Sequence, residues 1–364
     1  NTGTLRNVAI WILRILAAVL IVGIALSATD SNQWWIRAWD FPRTQLLFAM
    51  LGLAVALWLL DRGPGGRARI WMPVVLVGLS MWQVYRIFPY TPASPIDVEK
   101  IAVNTGEDTC FSVMSLNVLQ KNRQYARTLA MIEQVDPDIL LLMETDAGWA
   151  EAMEPALAQY PHRRDRVLDN TYGLMFATRM PMRDASIRDL AQKDTPSIFA
   201  TLTADGQDFT IVGLHPRPPV PGQDTEERDA ELIVAAKMLR DRKMPALAFG
   251  DFNDVAWSDT TRLFRQTGQL IDPRVGRGTY ATFPADMTWL GWPLDHVFVT
   301  DAFLFSRMEV LDKVGSDHRP IVAELCLNPK LARANNAQAE DATAEDMQDA
   351  AKTLDEFEEK ARGD

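Results

Sequence analysis

The chain has 364 residues, enough for two or more structural units, and its formal net charge at pH 7 is -11. This negative balance argues against a surface that holds nucleic acid by bulk electrostatic attraction, although it leaves room for a local basic groove. The chain contains only two cysteines, Cys110 and Cys326, which excludes a zinc cluster built from cysteines and a scaffold of several disulfides.

Three apolar runs open the chain, and each has roughly the length that spans a bilayer. They cover residues 8–28, 44–60 and 70–88. Trp34, Trp35 and Trp39 lie between the first two runs, as aromatic side chains do at a membrane interface. A buried helix of a soluble protein could resemble any one run, and the first run could instead be a cleaved signal peptide. Three runs in succession favour a membrane domain over residues 1–88 with three transmembrane helices.

Positive charge near the runs predicts their orientation, because cytoplasmic loops carry an excess of Lys and Arg. The loop 61–69 holds three arginines, and Arg6 precedes the first run. The loop 29–43 holds two, so the bias is small. We therefore predict a cytoplasmic N terminus and place everything after the third run on the outer face of the membrane.

Residues 89–107 contain three prolines and few large apolar side chains, which predicts an extended linker. A globular domain over residues 108–328 follows, in which strand patterns alternate with helical spacing and an Asp-Gly pair at Asp205-Gly206 indicates a hairpin. The predicted strands cover residues 110–117, 139–144, 172–178, 197–203, 209–214, 245–249, 294–299 and 321–327, and the predicted helices cover residues 125–134 and 226–240. This mixture predicts a layered α/β sandwich. The acidic, Ala-rich residues 329–364 predict a solvated helix or a disordered tail.

Polar side chains stand at the ends of most of these strands. They are Asn117, Glu144, His215, Asp251, Asn253, Asp295, His296, Asp317 and His318. Gathered at one edge of a sheet they would form a site, whereas scattered along strands they would be core defects. Glu144 is the most specific, because a carboxylate that ends an apolar strand must be solvated, paired or bound to a metal.

Several of these residues have simpler explanations when each is taken alone. Asn117 could be a turn residue, Gly250-Asp251-Phe252-Asn253 could be an Asx turn, and His215 could be a structural histidine. The fourth histidine of the chain, His162, falls in a basic segment over residues 160–166. We predict that this segment is a solvated surface loop, which could also meet an anionic substrate.

The order of these motifs carries a resemblance. Asn117, Met143-Glu144-Thr145, Gly250-Asp251-Phe252-Asn253, Leu294-Asp295-His296 and Ser316-Asp317-His318-Arg319-Pro320-Ile321 resemble the motif set of the endonuclease/exonuclease/phosphatase superfamily. The match covers about residues 108–328. It implies a four-layer α/β sandwich of the deoxyribonuclease-I type. The membrane-anchored layout is similar to bacterial members, which implies a multi-pass protein of the inner membrane with its catalytic domain on the periplasmic face.

The resemblance also implies roles for individual residues. Glu144 would be the principal ligand of Mg²⁺ or Mn²⁺, with Asn117 and Asp317 near the same ion. His318 would be the general base or hold the scissile phosphate, and Asp295 would orient its ring. Asp251 would activate water or protonate the leaving group, and His215 would be a second catalytic histidine. Asn253 would hydrogen-bond the phosphoryl oxygens, and His296 and Arg217 join it as predicted substrate contacts.

Two positions depart from the family pattern. Met143 stands where a Gln usually precedes the catalytic Glu, and Leu119 stands where an acidic residue is frequent, which puts a second metal site in doubt. The fold implied by the resemblance makes the first and last strands antiparallel neighbours. Cys110 and Cys326 would then face each other at the end away from the site, and we predict a disulfide between them.

The combined prediction is a membrane-anchored, divalent-metal-dependent phosphoesterase that hydrolyses phosphodiester bonds in a nuclease-like manner. A phospholipid or small-molecule phosphatase or phosphodiesterase is the alternative, and a non-catalytic binding module on the same fold is the second alternative. The predicted partners are the lipid bilayer and a phosphodiester of nucleic acid or of a lipid headgroup. The sequence implies no protein partner.

Overall fold

Three long apolar helices form the N-terminal part of the computed structural model, which describes residues 2–61, 67–101 and 109–363. They are α1 (Thr2–Ser27), α3 (Arg43–Leu60) and α4 (Arg67–Ile87), with the short helix α2 (Trp34–Arg37) between the first two. Each of the three has the length and hydropathy needed to cross a membrane. A buried stripe that includes Ala17, Met50 and Leu76 packs them together, while their other faces expose large apolar side chains.

Two arginines of α1 contact the C-terminal end of α3. Arg6 donates to the carbonyl of Leu60, and Arg14 Nε donates to Asp61 Oδ2 at 3.1 Å. Arg14 thus has a carboxylate partner at the helix end, which removes much of the cost of a charge inside an apolar run. Arg62, one of the charges used to predict orientation, lies outside the described residues.

Two mixed sheets stack face to face in the second part of the chain. The first sheet has the strand order β10-β11-β1-β2-β4-β3 and the second has the order β5-β6-β7-β8-β9. The strands are β1 (Thr109–Asn117), β2 (Ile139–Met143), β3 (His162–Arg166), β4 (Leu174–Thr178), β5 (Met182–Asp189), β6 (Pro196–Ala204), β7 (Gln207–Leu214), β8 (Ala246–Asp251), β9 (Asp295–Val299), β10 (Phe303–Val310) and β11 (Ile321–Leu327).

Helices cover the outer face of each sheet. These helices are α5 (Tyr125–Val135) and α6 (Ala147–Leu157) on the first sheet, and α7 (Glu226–Arg242) and α8 (Asp259–Gly268) on the second. Strand β2 is apolar throughout because both of its faces are covered. Leu141 points into the core between the sheets, whereas Leu140 and Leu142 pack under the helices. The predicted four-layer α/β sandwich is confirmed.

The sequence prediction differs from this architecture in several elements. The segment 160–166, predicted as a surface loop, contains the edge strand β3. Strands β5 and β10 and helices α6 and α8 were not predicted. Strand β4 begins at Leu174, so Tyr172 and Gly173 precede it rather than start it.

The segment predicted as an extended linker packs against the sandwich over its described part. Tyr90 is buried and its hydroxyl donates to the carbonyl of Ala256 at 2.6 Å. Val98 is fully buried in the core between the sheets, and Lys100 forms a β-bridge with Phe305. This part of the segment is therefore a fixed component of the domain, and residues 102–107 lie outside the described residues.

The acidic tail forms two helices, α9 (Pro329–Asn335) and α10 (Ala344–Gly363). Helix α10 packs on α7 and α8, where Ala350 is fully buried beside Ile233 and Leu263. The tail helix is thus partly docked rather than fully solvated.

The structure joins Cys110 to Cys326 in a disulfide, as predicted, because the two residues are register partners on the antiparallel strands β1 and β11. Cross-links that close long loops restrict the unfolded chain most. We expect the double variant Cys110→Ser/Cys326→Ser to lose about 2–4 kcal/mol of unfolding free energy. Urea unfolding of the detergent-solubilised chain measures this loss. Wild-type protein that takes up two alkyl groups when denatured without reductant would contradict the disulfide.

Candidate active site

Strand ends from both sheets bring the site together. Asn117 ends β1 and Glu144 follows β2, its parallel neighbour in the first sheet. Asp251 ends β8 and pairs in register with Asp295, which begins β9 in the second sheet. His318 lies in the segment before β11, which is the other neighbour of β1. The site therefore stands at one edge of the sandwich, where the two sheets face each other.

Asp251 Oδ2 is the atom on which the polar side chains converge. Asn117 Nδ2 donates to it at 3.1 Å and also donates to Glu144 Oε1 at 2.9 Å. His318 Nε2 lies 3.4 Å from the same oxygen, and His215 Nε2 lies 3.8 Å from it. Asn117 thus holds two carboxylates side by side, one from each sheet.

His318 is held between two carboxylates. Its Nδ1 lies 2.8 Å from Asp295 Oδ2, and Asp251 faces its other ring nitrogen. Ser316 fixes the backbone of this segment, because its hydroxyl donates to the carbonyl of Asn117 and accepts from the His318 amide. The ring of Phe283 packs against the imidazole at 4.9 Å between centroids. The His318 side chain therefore has a defined position and a defined partner on each nitrogen.

Burial and charge shift the pKa values of these groups. Burial alone would lower the pKa of His318, but the carboxylates of Asp251 and Asp295 raise it to about 10. Burial raises the pKa of Asp251 against the lowering effect of His318 and His215. Burial also lowers the pKa of His215, which Asp251 only partly offsets. At neutral pH the site thus holds an imidazolium at His318 and a neutral imidazole at His215.

Local backbone conformation places Asp251 and Glu144. Gly250 has a φ of +130°, and a Cβ at this position would lie 2.1 Å from the carbonyl oxygen of Leu214. Only glycine allows β7 and β8 to approach this closely just before the carboxylate of Asp251. Glu144 has a φ of 62°, which turns its side chain back to accept from the Gln120 amide at 3.0 Å.

His296 does not belong to the site, and its prediction as a substrate contact is wrong. It is fully buried, its ring stacks on Phe298 and packs at a tilt against Phe252, and its Nε2 lies 2.9 Å from the carbonyl oxygen of Asp254. Its Nδ1 lies 2.7 Å from Nη2 of Arg274. The physical reason is strand alternation: Asp295 points towards the site, so its neighbour on β9 points to the opposite face of the sheet.

The remaining predicted residues lie around the rim. Asn253 donates its side-chain amide to the carbonyl of Pro216, and its backbone N–H donates to Asp251 Oδ1 at 2.9 Å. Asn253 therefore positions Asp251 and the loop of His215. Asp317 is exposed, and its backbone carbonyl accepts from the Ala285 amide.

Arg217 reaches the rim through an aromatic side chain. Its guanidinium lies over the ring of Tyr172, which in turn lies 5.5 Å from the His215 ring between centroids. Tyr172, like Gln120, Ser316 and Phe283, is a site neighbour that the sequence did not single out. Ser316 is the one with a visible signal, since it stands within the Ser-Asp-His motif.

Comparison with known proteins bears on this arrangement. A model of the Endonuclease/Exonuclease/phosphatase family matches residues 114–318, which include every strand end of the site. The chain belongs to this family. Among curated proteins, a "UPF0294 protein" of Vibrio campbellii is 30% identical over 125 residues. That match spans 34% of this chain and 42% of the relative, so the chain covers less than half of the relative's length.

Several solved structures share the fold. A family protein of Bacteroides thetaiotaomicron is 19% identical with a TM-score of 0.52, covering 62% of this chain and 97% of that one. A humanized D. rerio TDP2 is 15% identical with a TM-score of 0.51, covering 60% and 99%. The human Nocturnin catalytic domain is 18% identical with a TM-score of 0.50, covering 60% and 95%. At these identities the likeness shows the sandwich and not the substrate.

The donor set of the site fits a divalent cation of the kind this family uses. One ligand atom from each of Asp251, Asp295 and His318 lies within 4.8 Å of the others. Within the described residues, Asp295 Oδ1 is buried without a hydrogen-bond partner. Carboxylate oxygens are the ligands that Mg²⁺ and Mn²⁺ prefer. This group shares no residue with the ligands predicted from the sequence, Glu144, Asn117 and Asp317, so the structure offers two adjoining positions for an ion. An ion held by Asp251, Asp295 and His318 would require His318 to lose the proton that makes it an imidazolium.

Proposed function

We propose that the chain is a divalent-metal-dependent phosphodiester hydrolase held at a membrane by α1, α3 and α4, with its catalytic domain on the outer face of a bacterial inner membrane. The observation that carries the proposal is the convergence of His318, Asn117 and His215 on Asp251 beside Glu144. A structural ion-pair network would not need three polar side chains from two sheets around one carboxylate at the ends of their strands.

The residues divide the chemistry of hydrolysis among themselves. Glu144 and Asn117 would hold the cation, with Asp317 at the rim. A bound Mg²⁺ or Mn²⁺ neutralises phosphoryl oxygens and so favours attack by water. Asp251, whose pKa burial raises, accepts the proton of the attacking water or returns it to the leaving group. The imidazolium of His318 donates to a phosphoryl oxygen as charge develops, and Asp295 stabilises that imidazolium.

His215 and the rim residues complete the site. Neutral His215 faces Asp251, and its ring packs against the ring of Tyr172. We assign Arg217, whose guanidinium lies over the ring of Tyr172, to the substrate phosphate. Asn253 would reach a phosphoryl oxygen only after its amide leaves Pro216.

The surface charge bears on the choice of substrate class. Two arginines of the basic segment are already paired, Arg163 with Glu154 and Asp165, and Arg166 with Asp189 and Asp194. These pairs leave little free positive charge for a nucleic-acid groove at β3. A nuclease-like activity therefore has to rely on the rim itself, and a lipid or small phosphodiester remains the alternative substrate.

A substrate panel tests the proposal. Purified full-length chain should hydrolyse bis-para-nitrophenyl phosphate in the presence of Mg²⁺ or Mn²⁺, and chelation with EDTA should abolish the activity. DNA, RNA and phospholipid vesicles, assayed in parallel, rank the substrate classes. Protein that binds Mn²⁺ yet hydrolyses none of these compounds would favour a non-catalytic binding module on this fold.

A further inference from the structure

The catalytic domain rests directly on one end of the apolar helix bundle. Trp257 Nε1 donates to the carbonyl of Asp40 at 2.7 Å, and Arg86 forms an ion pair with Asp259 at 3.0 Å. Gln45, in the first turn of α3, donates from Nε2 to the carbonyl of Leu290 at 3.0 Å. These contacts place the sandwich at the end of the bundle where α3 begins and α4 ends.

Two of these contacts come from the loops next to the strand ends that hold Asp251 and Asp295. Trp257 lies in the loop that follows Asp251, and Leu290 lies in the loop that precedes Asp295. The disulfide between Cys110 and Cys326 is at the opposite end of the strands. The edge of the sandwich with the candidate active site therefore faces the helix bundle, at the end where α3 begins and α4 ends.

Aromatic side chains connect the helix bundle to the catalytic histidine. Phe41, just before α3, packs edge-on against Trp292 at 5.7 Å between ring centroids. Trp292 lies 6.1 Å from Phe283, and Phe283 lies 4.9 Å from His318. Because packed aromatic side chains resist displacement, the position of the helix ends is mechanically linked to that of His318.

One loop in this path exposes large apolar side chains that nothing in the described residues covers. Trp289 is 81% exposed and Met287 is 46% exposed. Trp289 is the most exposed of the eleven tryptophans, and the other strongly exposed ones lie between residues 11 and 82, in the apolar helix segment. A single exposed tryptophan on a surface needs no explanation. This one, however, adjoins the residue that hydrogen-bonds the first turn of a membrane-length helix.

We propose that residues 287–292 form an interfacial membrane contact, with Trp289 and Met287 seated among the lipid headgroups, and that this contact holds the edge of the sandwich that carries His318 at the bilayer surface. Tryptophan prefers this depth because its ring is apolar and its N–H is polar. The depth of the loop relative to the bilayer follows from its hydrogen bond to Gln45, because the first turn of a membrane-spanning helix lies at the interface. Resting on the proposed function, a consequence is that a phosphodiester carried by a lipid reaches the site without leaving the membrane.

The depth of the loop can be measured without any assay of activity. Met287→Cys, labelled with a bimane fluorophore in the full-length chain, is reconstituted into vesicles of phosphatidylcholine and phosphatidylglycerol. Leu331→Cys on α9, similarly exposed but beside the disulfide end, is the matched control. Lipids that carry a nitroxide near the headgroup should quench the probe at 287 about threefold more than the probe at 331, because only the former lies in the interface. Equal quenching at both positions would overturn the proposal.

A second variant separates the loop from the chemistry. Trp289→Asp should lower hydrolysis of a vesicle-bound phosphodiester lipid about tenfold while leaving hydrolysis of bis-para-nitrophenyl phosphate unchanged, since a charge is costly at this depth but the site is intact. Equal rates of wild type and variant on the vesicle substrate would contradict the role of the loop. If the wild type hydrolyses neither substrate, the proposed function fails, and the quenching experiment still decides where the loop lies.

Discussion

Replacing His318 by alanine should lower kcat on bis-para-nitrophenyl phosphate by about 10²–10⁴-fold, the range that general acid–base groups contribute. In the proposed mechanism the imidazolium donates towards developing charge, and its loss would leave the carboxylates of Asp251 and Asp295 facing each other without a cation between them. Asp295→Asn is the finer variant, because it keeps a side chain of the same shape while removing the charge that stabilises the imidazolium. It should lower kcat at least about tenfold with KM little changed.

His162→Ala is the matched control for this series. His162 begins the edge strand β3, away from the convergence on Asp251, so its loss should leave kcat within about twofold of wild type, as expected for a surface substitution. Melting temperatures of all three variants show whether a lost rate reflects lost fold. A folded His318→Ala protein that retains more than about a tenth of the wild-type rate would remove His318 from the chemistry.

Replacing Glu144 by glutamine should weaken Mn²⁺ binding by about 10²-fold and reduce the rate at fixed metal by a similar factor, because the substitution removes a charged ligand and keeps the volume. The Gln side-chain oxygen can keep only one of the two acceptor roles of Glu144, either towards Asn117, which Oε1 now fills, or towards the Gln120 amide, which Oε2 now fills. Titration of Mn²⁺ followed by electron paramagnetic resonance measures the affinity directly. Glu151→Gln, on the exposed face of α6, is the control and should bind Mn²⁺ as the wild type does.

The same titration distinguishes the two adjoining ion positions. If Glu144 is the principal ligand, Asp295→Asn should keep most of its Mn²⁺ affinity, since Asp295 is occupied with His318. Wild-type affinity in Glu144→Gln, together with lost affinity in Asp295→Asn, would move the ion to the group formed by Asp251, Asp295 and His318.

The sheets could be predicted where the sequence alternates or is apolar throughout. Strand β2 is covered on both faces, so its five residues are all apolar. Strands β7 and β8 are also largely buried, and a polar motif at the end of each marks where the strand stops. Three of the four edge strands of the two described sheets, β3, β5 and β10, gave no such signal. Strand β3 reads His-Arg-Arg-Asp-Arg, because an edge in contact with water is protected by charge, and this composition is also that of a loop.

Helix α8 was missed although its N-terminal signal is present. Ser258 caps the helix by accepting from the Thr261 amide at 2.9 Å, and Asp259 follows in the first turn. Only Leu263 and Phe264 contribute large apolar side chains to its buried face, so the apolar spacing is too weak to predict ten helical residues.

The composition of the site could be predicted from strand ends, but side-chain direction could not be read reliably where motifs enter a strand. Asp295 and His296 are neighbours on β9 and so face opposite ways, which separates a site residue from a core residue. Asp317 and His318 lie in the segment before β11, where no alternation applies. The contact of Arg274 with His296 joins residues far apart in sequence and had no local signal.

The central claim is that side chains from both sheets form one metal-dependent hydrolytic site at the edge where Asn117 joins Glu144 to Asp251. Diffraction at the manganese edge from crystals of the full-length chain grown with Mn²⁺ tests it most directly. The account predicts an anomalous peak at about 2.2 Å from a carboxylate oxygen of Glu144, with His318 still bonded to Asp295. A fully active protein whose manganese peaks all lie away from Glu144, Asp251 and Asp295 would contradict it.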